Sequence, residues 1–239
     1  MTSPPVPDTP SSAPRPLLIV GAGGFARETV EAVRAANRER QRWELRGFLD
    51  DDPERRGEIV AGLPILGPVE LVHEQADAAV TIATGRTDNY VSRRLIAERL
   101  ELGEERYATI VHPTASVGES CRLGPGTVLL AHTAVTADVV LGSHVAVMPQ
   151  VVIPHDVRVD DFVTIASGVR VGGGCQLGEG AYIGSGACLL QGTAIGPWAM
   201  VGMGAVLTRD VPGERQWWGA PARDKGRAPL PHDRAPAPR

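Results

Sequence analysis

Residues 153–176 read IPHDVR VDDFVT IASGVR VGGGCQ, four groups of six residues that each begin with Ile or Val. The same period extends in both directions, because every sixth residue from Val111 to Leu207 is aliphatic, at seventeen positions without an exception. The fifth residue of each group is always Ala, Cys, Thr or Val, and the second is glycine eight times, where we expect corners with positive φ. A six-residue period fits neither an α-helix nor a simple alternating strand. It predicts a parallel β-helix in which three groups form one eighteen-residue coil.

The region before the repeat has a different pattern, in which short apolar runs alternate with longer amphipathic ones. Residues 17–20 predict a buried strand, residues 21–24 a glycine turn and residues 25–37 a helix. Two further strands are expected at residues 45–49 and 78–83. This order predicts an α/β, Rossmann-like domain. Its length, about ninety residues, leaves room for only one half of a doubly wound sheet, so a complete nicotinamide site is not expected.

The two ends of the chain are rich in proline and poor in apolar residues. Such composition is typical of segments that do not form a packed core. We therefore predict a disordered tail at residues 1–16, a Rossmann-like domain at 17–106, a β-helix domain at 107–222 and a second disordered tail at 223–239.

Charge and composition exclude several classes of partner. The chain has 24 Lys and Arg residues against 28 Asp and Glu residues, with no basic stripe, so nucleic acid is not an expected partner. The longest early apolar run, residues 17–20, is too short for a membrane span or a signal-peptide core. The three cysteines are too scattered for a disulfide framework or a zinc site. We expect a cytoplasmic protein that binds no metal and no membrane.

Three sequence motifs resemble one family. The repeat ends in WGAPA at residues 218–222, and the N-terminal region contains LIVGAGGFARE at residues 18–28 and FLDD at residues 48–51. Together they resemble the bacterial left-handed β-helix acetyltransferases that modify UDP-linked amino sugars, and the related sialic acid O-acetyltransferase-like proteins. The resemblance implies a left-handed parallel β-helix, a homotrimer, acetyl-CoA as co-substrate in the cleft between subunits, and N- or O-acetylation of a sugar, with the N-terminal domain binding the acceptor.

The resemblance also implies a catalytic pair, His155-Asp156, because the catalytic histidine of the family is followed by an acidic residue. The repeat agrees, since His155 is the third residue of its group, just past a corner, and should point outward. A carboxylate beside an imidazole fixes its tautomer and stabilises the imidazolium that forms. One coil further on lies Gly173, whose backbone N–H is the expected oxyanion donor. Asp138, one coil before Asp156, is either a second orienting group or a like-charge neighbour.

The resemblance assigns residues to both substrates. The donor residues that it implies are Thr164, Gly173, Gly174, Ser185, Gln191 and Met203. The acceptor residues that it implies are Gly21, Gly23, Gly24, Phe25, Asp50, Asp51 and Gly85. Phe25 stands where many members have histidine, so an acceptor other than a UDP-amino sugar, such as a different sugar or a specialised metabolite, stays open.

Other features leave alternatives open. His144, Phe162 and Trp198 form one outward column that we expect to be covered by a neighbouring subunit. Trp217 and Trp218 fit either stacking on adenine or packing on the last coil. A non-catalytic hexapeptide scaffold with a nucleotide-binding domain is the alternative from another class of function.

Overall fold

The computed structural model describes residues 13–230, and it contains an α/β unit followed by a parallel β-helix. Both parts of the predicted fold class are confirmed. The tail predictions for residues 1–12 and 231–239 lie outside the described residues.

The α/β unit is built on a five-stranded sheet with the order β3-β4-β2-β1-β5. Strand β1 is an internal strand of this sheet, because it pairs in parallel with both β2 and β5, and it is fully buried from Leu17 to Val20. Helix α1 packs its apolar side on this sheet through Ala26, Val30 and Val33. The strands and helices are β1 (Arg15–Val20), α1 (Gly24–Glu39), β2 (Trp43–Leu49), β3 (Ile59–Val60), β4 (Leu63–Gly67), β5 (Ala79–Ile82) and α2 (Ser92–Leu100). Three short 3-10 helices lie at Pro53–Arg55, Val69–Glu74 and Glu104–Arg106.

The β-helix consists of two-residue strands that recur at the predicted period. Strands on one face pair in parallel with a register of eighteen residues, as in Ala146 with Thr164 and Thr164 with Tyr182. The strands are β6 (Ile110–Val111), β7 (Ser116–Val117), β8 (Arg122–Leu123), β9 (Val128–Leu129), β10 (Ala134–Val135), β11 (Val140–Leu141), β12 (Ala146–Val147), β13 (Val152–Ile153), β14 (Arg158–Val159), β15 (Thr164–Ile165), β16 (Gln176–Leu177), β17 (Tyr182–Ile183), β18 (Cys188–Leu189), β19 (Ala194–Ile195), β20 (Met200–Val201) and β21 (Val206–Leu207). The first and fifth residues of the groups point inward and make one continuous core from Leu129 to Val211.

The glycines at the second position of the groups do not have the expected role. Left-handed backbone occurs instead at the fourth position, as in Asp156 (φ 61°) and Gly174 (φ 67°). A Cβ on Gly178 would lie 2.7 Å from the backbone nitrogen of Pro197, and one on Gly184 would lie 2.5 Å from that of Met203. These glycines are therefore required because the next coil passes close to them, and the prediction of positive φ at this position is wrong.

The prediction of a disordered tail from residue 223 is wrong as far as residue 230. The first face of the β-helix is the one formed by β6, β9, β12, β15, β17 and β20. Strand β22 (Arg215–Gly219) pairs with β20 and extends this face, and β23 (Ala222–Arg227) pairs with β22 in an antiparallel hairpin. Beyond the hairpin, Leu230 is 3% exposed and packs with Tyr90 and Met200. Backbone pairing needs no apolar side chains, so the polar sequence of β23 gave no signal of it. At the other end, β1 begins at Arg15, inside the predicted N-terminal tail.

The N-terminal domain covers the first face of the β-helix, which includes β6, β9, β12, β15, β17 and β20. The column that we expected between subunits lies under this cover. His144 is 5% exposed, its ring stacks on Phe162 and meets the edge of Tyr107, while Tyr90 donates to the carbonyl oxygen of Trp198. The prediction that another subunit covers this column is therefore wrong, because the chain covers the column itself.

The two tryptophans near the end of the repeat differ. Trp217 is buried in the β-helix core, which favours the packing interpretation for this residue. Trp218 is about half exposed and lies over Gly202. In the described residues 13–230, no helix has the length and apolar character that crossing a membrane requires.

Candidate active site

An exposed histidine and carboxylate form a contact on one corner of the β-helix. The Nδ1 atom of His155 lies 2.8 Å from Oδ2 of Asp156, and both side chains are about two-thirds exposed. His155 follows β13, and Asp156 holds the left-handed corner conformation that Asp tolerates better than most residues. When Nδ1–H donates a hydrogen bond to the carboxylate, Nε2 of the neutral ring carries no proton and can act as a base.

Gly173 lies one coil further along the same corner and touches the imidazole. A Cβ at this position would lie 2.7 Å from both Cε1 and Nε2 of His155, so only glycine leaves room for the ring. The N–H of Gly174 donates to the carbonyl oxygen of His155, and that of Gly192 donates to Gly173. Within residues 13–230, the N–H of Gly173 itself makes no hydrogen bond, and it remains available to a ligand beside Nε2.

The other residues expected at the donor are divided among different parts of the β-helix. Gln191 follows Gly173 on the corner of His155, whereas Ser185 and Met203 are exposed on another corner of the same chain. The prediction for Thr164 is wrong: it is 3% exposed on the first face, and its Oγ1 accepts a hydrogen bond from Arg93 at 2.7 Å. The N-terminal domain covers this position, so a donor cannot reach it.

A second candidate site is a cleft of about 410 Å³ in the N-terminal domain, at the carboxyl ends of β1, β2 and β5. A cleft at this edge of a parallel sheet is the usual place for a ligand in an α/β fold. Six of the predicted acceptor residues line it, namely Gly21, Gly23, Gly24, Phe25, Asp50 and Gly85. A Cβ on Gly23 or Gly24 would meet no atom within 4 Å, so the N-terminal turn of α1 is open to a ligand.

Two predicted acceptor residues have roles that differ from the expectation. Phe25 lines the cleft, but its side chain is buried in the core of the domain and cannot donate to a phosphate. Asp51 does not line the cleft, because its carboxylate accepts the backbone N–H of Val69 and pairs with Arg99 at 2.7 Å. Asp51 thus joins the loop after β2 to helix α2.

Sequence reasoning missed the positive charges and hydroxyls of the cleft. Arg55 pairs with Asp50 at 3.3 Å, Arg86 also lines the cleft, and Ser92 donates to Thr84 at 2.9 Å. The spacing in the sequence did not distinguish these two arginines from the others, and both also form ion pairs with nearby carboxylates, Arg55 with Glu58 and Arg86 with Asp88. No group of three metal-ligating side chains occurs in the part of the chain that the structure describes.

The sequence and the structure match proteins of known activity. A family model described as "PglD N-terminal domain" matches residues 16–100. The UDP-N-acetylbacillosamine N-acetyltransferase of Bacillus subtilis (strain 168) is 35% identical over 118 residues, which are 48% of this chain and 51% of that protein. The match thus spans about half the length of this curated relative.

Solved structures match over nearly the whole chain. The acetyltransferase domain of PglB from Neisseria gonorrhoeae FA1090 is 31% identical with a TM-score of 0.78, over 88% of this chain and 99% of that one. A mutant perosamine N-acetyltransferase from Caulobacter crescentus, in complex with CoA and GDP-perosamine, is 28% identical with a TM-score of 0.77, over 88% and 96% of the two chains. The resemblance inferred from the motifs is therefore confirmed, and the chain belongs to the family of β-helix acetyltransferases that carry a PglD-type N-terminal domain.

Proposed function

We propose that this protein transfers the acetyl group of acetyl-CoA to the amino group of a nucleotide-linked amino sugar, with His155 as the general base. The observation that carries the proposal is the exposed pair of His155 and Asp156 with Gly173 against the imidazole. The relatives support the choice of an amine as acceptor, because they are N-acetyltransferases of nucleotide sugars by name.

The proposed reaction uses these three residues in sequence. The amine attacks the thioester carbonyl carbon, and Nε2 of His155 takes the proton that the nitrogen loses as the C–N bond forms. The N–H of Gly173 donates to the oxyanion of the tetrahedral intermediate. The intermediate then collapses, the C–S bond breaks, and the CoA thiolate leaves and takes the proton from the His155 imidazolium, which regenerates the base. Asp156 holds the imidazole and stabilises its protonated form.

The acceptor nucleotide would bind in the N-terminal cleft. The open backbone of Gly23 and Gly24 at the start of α1 suits a diphosphate, since backbone N–H groups at a helix N-terminus attract anions. Arg55 and Arg86 add positive charge, and Asp50 suits a ribose hydroxyl. Because the Phe25 side chain is turned into the core, phosphate recognition would rest on backbone groups and arginines.

The donor would bind between subunits of a homotrimer. Ser185 and Met203 lie on a different corner from His155 and Gln191 in one chain, so both corners can contact one acetyl-CoA molecule only if neighbouring chains each contribute a corner. Acetyl-CoA of the cytoplasm would supply the acetyl group, which places the protein there.

A panel of acceptors tests the proposal directly. Purified protein is incubated with acetyl-CoA and UDP- or GDP-linked amino sugars, their hydroxyl analogues and free amino sugars, and the release of free thiol is measured. We expect release with at least one nucleotide-linked amino sugar and none with its hydroxyl analogue. Release with the hydroxyl analogue alone would show O-acetylation, and binding of nucleotides with no release from any acceptor would favour the non-catalytic scaffold.

A further inference from the structure

A buried arginine connects the acceptor cleft to the β-helix. Arg93, in the first turn of α2, is 1% exposed, and no carboxylate within residues 13–230 forms an ion pair with it. Burial lowers the pKa of Arg93 to about 10, so its guanidinium stays charged at neutral pH. A buried charge without an ionic partner is costly unless hydrogen bonds satisfy it.

The hydrogen bonds of Arg93 lead in two directions. On one side, Nη1 donates to the carbonyl oxygen of Thr84 at 2.7 Å. On the other side, Nε donates to the carbonyl oxygen of His144 at 3.1 Å, and Nη2 donates to that of Phe162 and to Oγ1 of Thr164, both at 2.7 Å. Neutral oxygens from both domains therefore share one positive charge.

Each side of this connection belongs to a candidate site. Thr84 and Gly85 line the acceptor cleft, and a Cβ on Gly85 would lie 2.5 Å from Nη1 of Arg93, so the arginine supports this wall from behind. His144 and Phe162 are eighteen residues apart, and the coil between them is the one that carries His155. The guanidinium thus connects the cleft wall directly to the coil of the proposed base.

We propose that Arg93 is a positioning residue, which fixes the Thr84–Gly85 wall of the acceptor cleft relative to the coil that carries His155. It touches neither substrate, and it acts by placing the bound acceptor. The kinetic part of this inference rests on the proposed function.

The test compares Arg93→Met with Arg94→Met. Methionine keeps a long unbranched side chain and removes every donor. Arg94 is the matched control on the same helix, since it is exposed, pairs with Glu98 and lies over the ring of Trp198, outside the acceptor cleft. Arg93→Lys is the conservative variant, which keeps the charge but replaces the planar five-donor guanidinium with a single ammonium nitrogen.

Two measurements are made on each full-length variant. Hydrogen exchange without substrates is expected to become roughly tenfold faster in residues 84–92 of Arg93→Met, the scale of one lost charge-assisted hydrogen bond. The exchange rate should stay unchanged in residues 24–39 of Arg93→Met and in every segment of Arg94→Met. With the best acceptor of the panel, the KM for the acceptor should rise by about tenfold while the KM for acetyl-CoA changes less than about twofold. For Arg93→Lys, the exchange rate of residues 84–92 and the KM for the acceptor should lie between those of Arg93→Met and the wild type.

The outcomes separate the inference from the proposed function. If exchange accelerates equally in both domains, or if both KM values rise together, Arg93 holds the fold in general and the inference is wrong. The inference is also wrong if Arg93→Met leaves exchange and the acceptor KM unchanged. If the wild type transfers no acetyl group, the proposed function fails, and the affinities of the variants for UDP and GDP, measured by calorimetry, then decide whether Arg93 positions the cleft.

Discussion

At the scale of single residues, the proposed chemistry depends on the contact between His155 and Asp156. Both residues occupy an exposed corner, so neither contributes to the core, and their 2.8 Å contact orients the ring. We expect Asp156→Asn to fold like the wild type, because Asn tolerates the left-handed corner as Asp does. Its kcat should fall by less than the roughly 10²–10⁴-fold of a missing general base. Steady-state kinetics of Asp156→Asn and His155→Ala measure the two losses in kcat. A larger loss in Asp156→Asn than in His155→Ala would contradict these roles.

The burial of His144 at the domain interface makes the stability of the fold depend on pH. Burial lowers the pKa of His144 from 6.5 to about 4, and the nearby charge of Arg93 acts in the same direction. Between these two pH values the unfolded chain binds a proton that the folded chain does not, so stability falls as pH decreases through this window. We expect His144→Phe to lessen that fall by up to about 1.4 kcal/mol per pH unit.

Phenylalanine is a suitable replacement because Phe162, the next residue of the same column, has the same left-handed conformation (φ 60° against 55°). The Nδ1 atom of His144 also lacks a partner in the described structure, so the substitution removes no hydrogen bond of the ring. Urea unfolding at pH 4.5, 5.5 and 7 measures the slope. An unchanged slope in His144→Phe would mean that other groups cause the acid sensitivity.

At the scale of elements, the hairpin of β22 and β23 closes the first face of the β-helix. The residues beyond it contribute apolar contacts, because Leu230 packs into a cluster with Tyr90 and Met200. We expect Leu230→Ala to lower the free energy of unfolding by about 2–4 kcal/mol, as for other buried leucines. Leu190→Ala, at a leucine that is 55% exposed, is the control and should change it by less than about 0.5 kcal/mol. Equal values for the two variants in urea would show that the C-terminal segment does not stabilise the fold.

The two kinds of element differed in how far the sequence predicted them. Each coil of the β-helix repeats one environment, so seventeen aliphatic positions specified its strands, and the exposure of His155 followed from the count. The corner itself was misplaced, because its left-handed residue is Asp156 and does not precede His155. The hairpin and the cover over His144 depend on contacts between distant residues, such as Arg93 with His144 and Tyr90 with Trp198, which no local pattern encodes. For the same reason the burial of Thr164 could not be predicted. Phe25 is different, because it shares the buried face of α1 with Thr29, Val30 and Val33, as the helical period of the sequence indicates.

At the scale of the whole molecule, the proposed donor site requires more than one chain. The N-terminal domain covers the first face, but Val152 and Val206 on another face and Met203 at a corner remain exposed. Exposed apolar residues of this kind are typical of an interface. We expect light scattering at micromolar concentration to give three times the chain mass of 25.3 kDa. A monomeric mass would contradict the trimer, and with it a donor site shared between neighbouring chains.

The turnover of His155→Ala tests whether His155 is the general base. The variant should bind acetyl-CoA as the wild type does, because in the proposed site the thioester contacts backbone groups near Gly173, while kcat falls by roughly 10²–10⁴-fold. His132→Asn is the matched control, since it changes an exposed histidine on another corner and keeps a residue that tolerates left-handed backbone. Thiol release is measured with the best acceptor of the panel, and acetyl-CoA affinity by calorimetry. A folded His155→Ala protein that binds acetyl-CoA and keeps more than about half of the normal kcat would show that His155 is not the base.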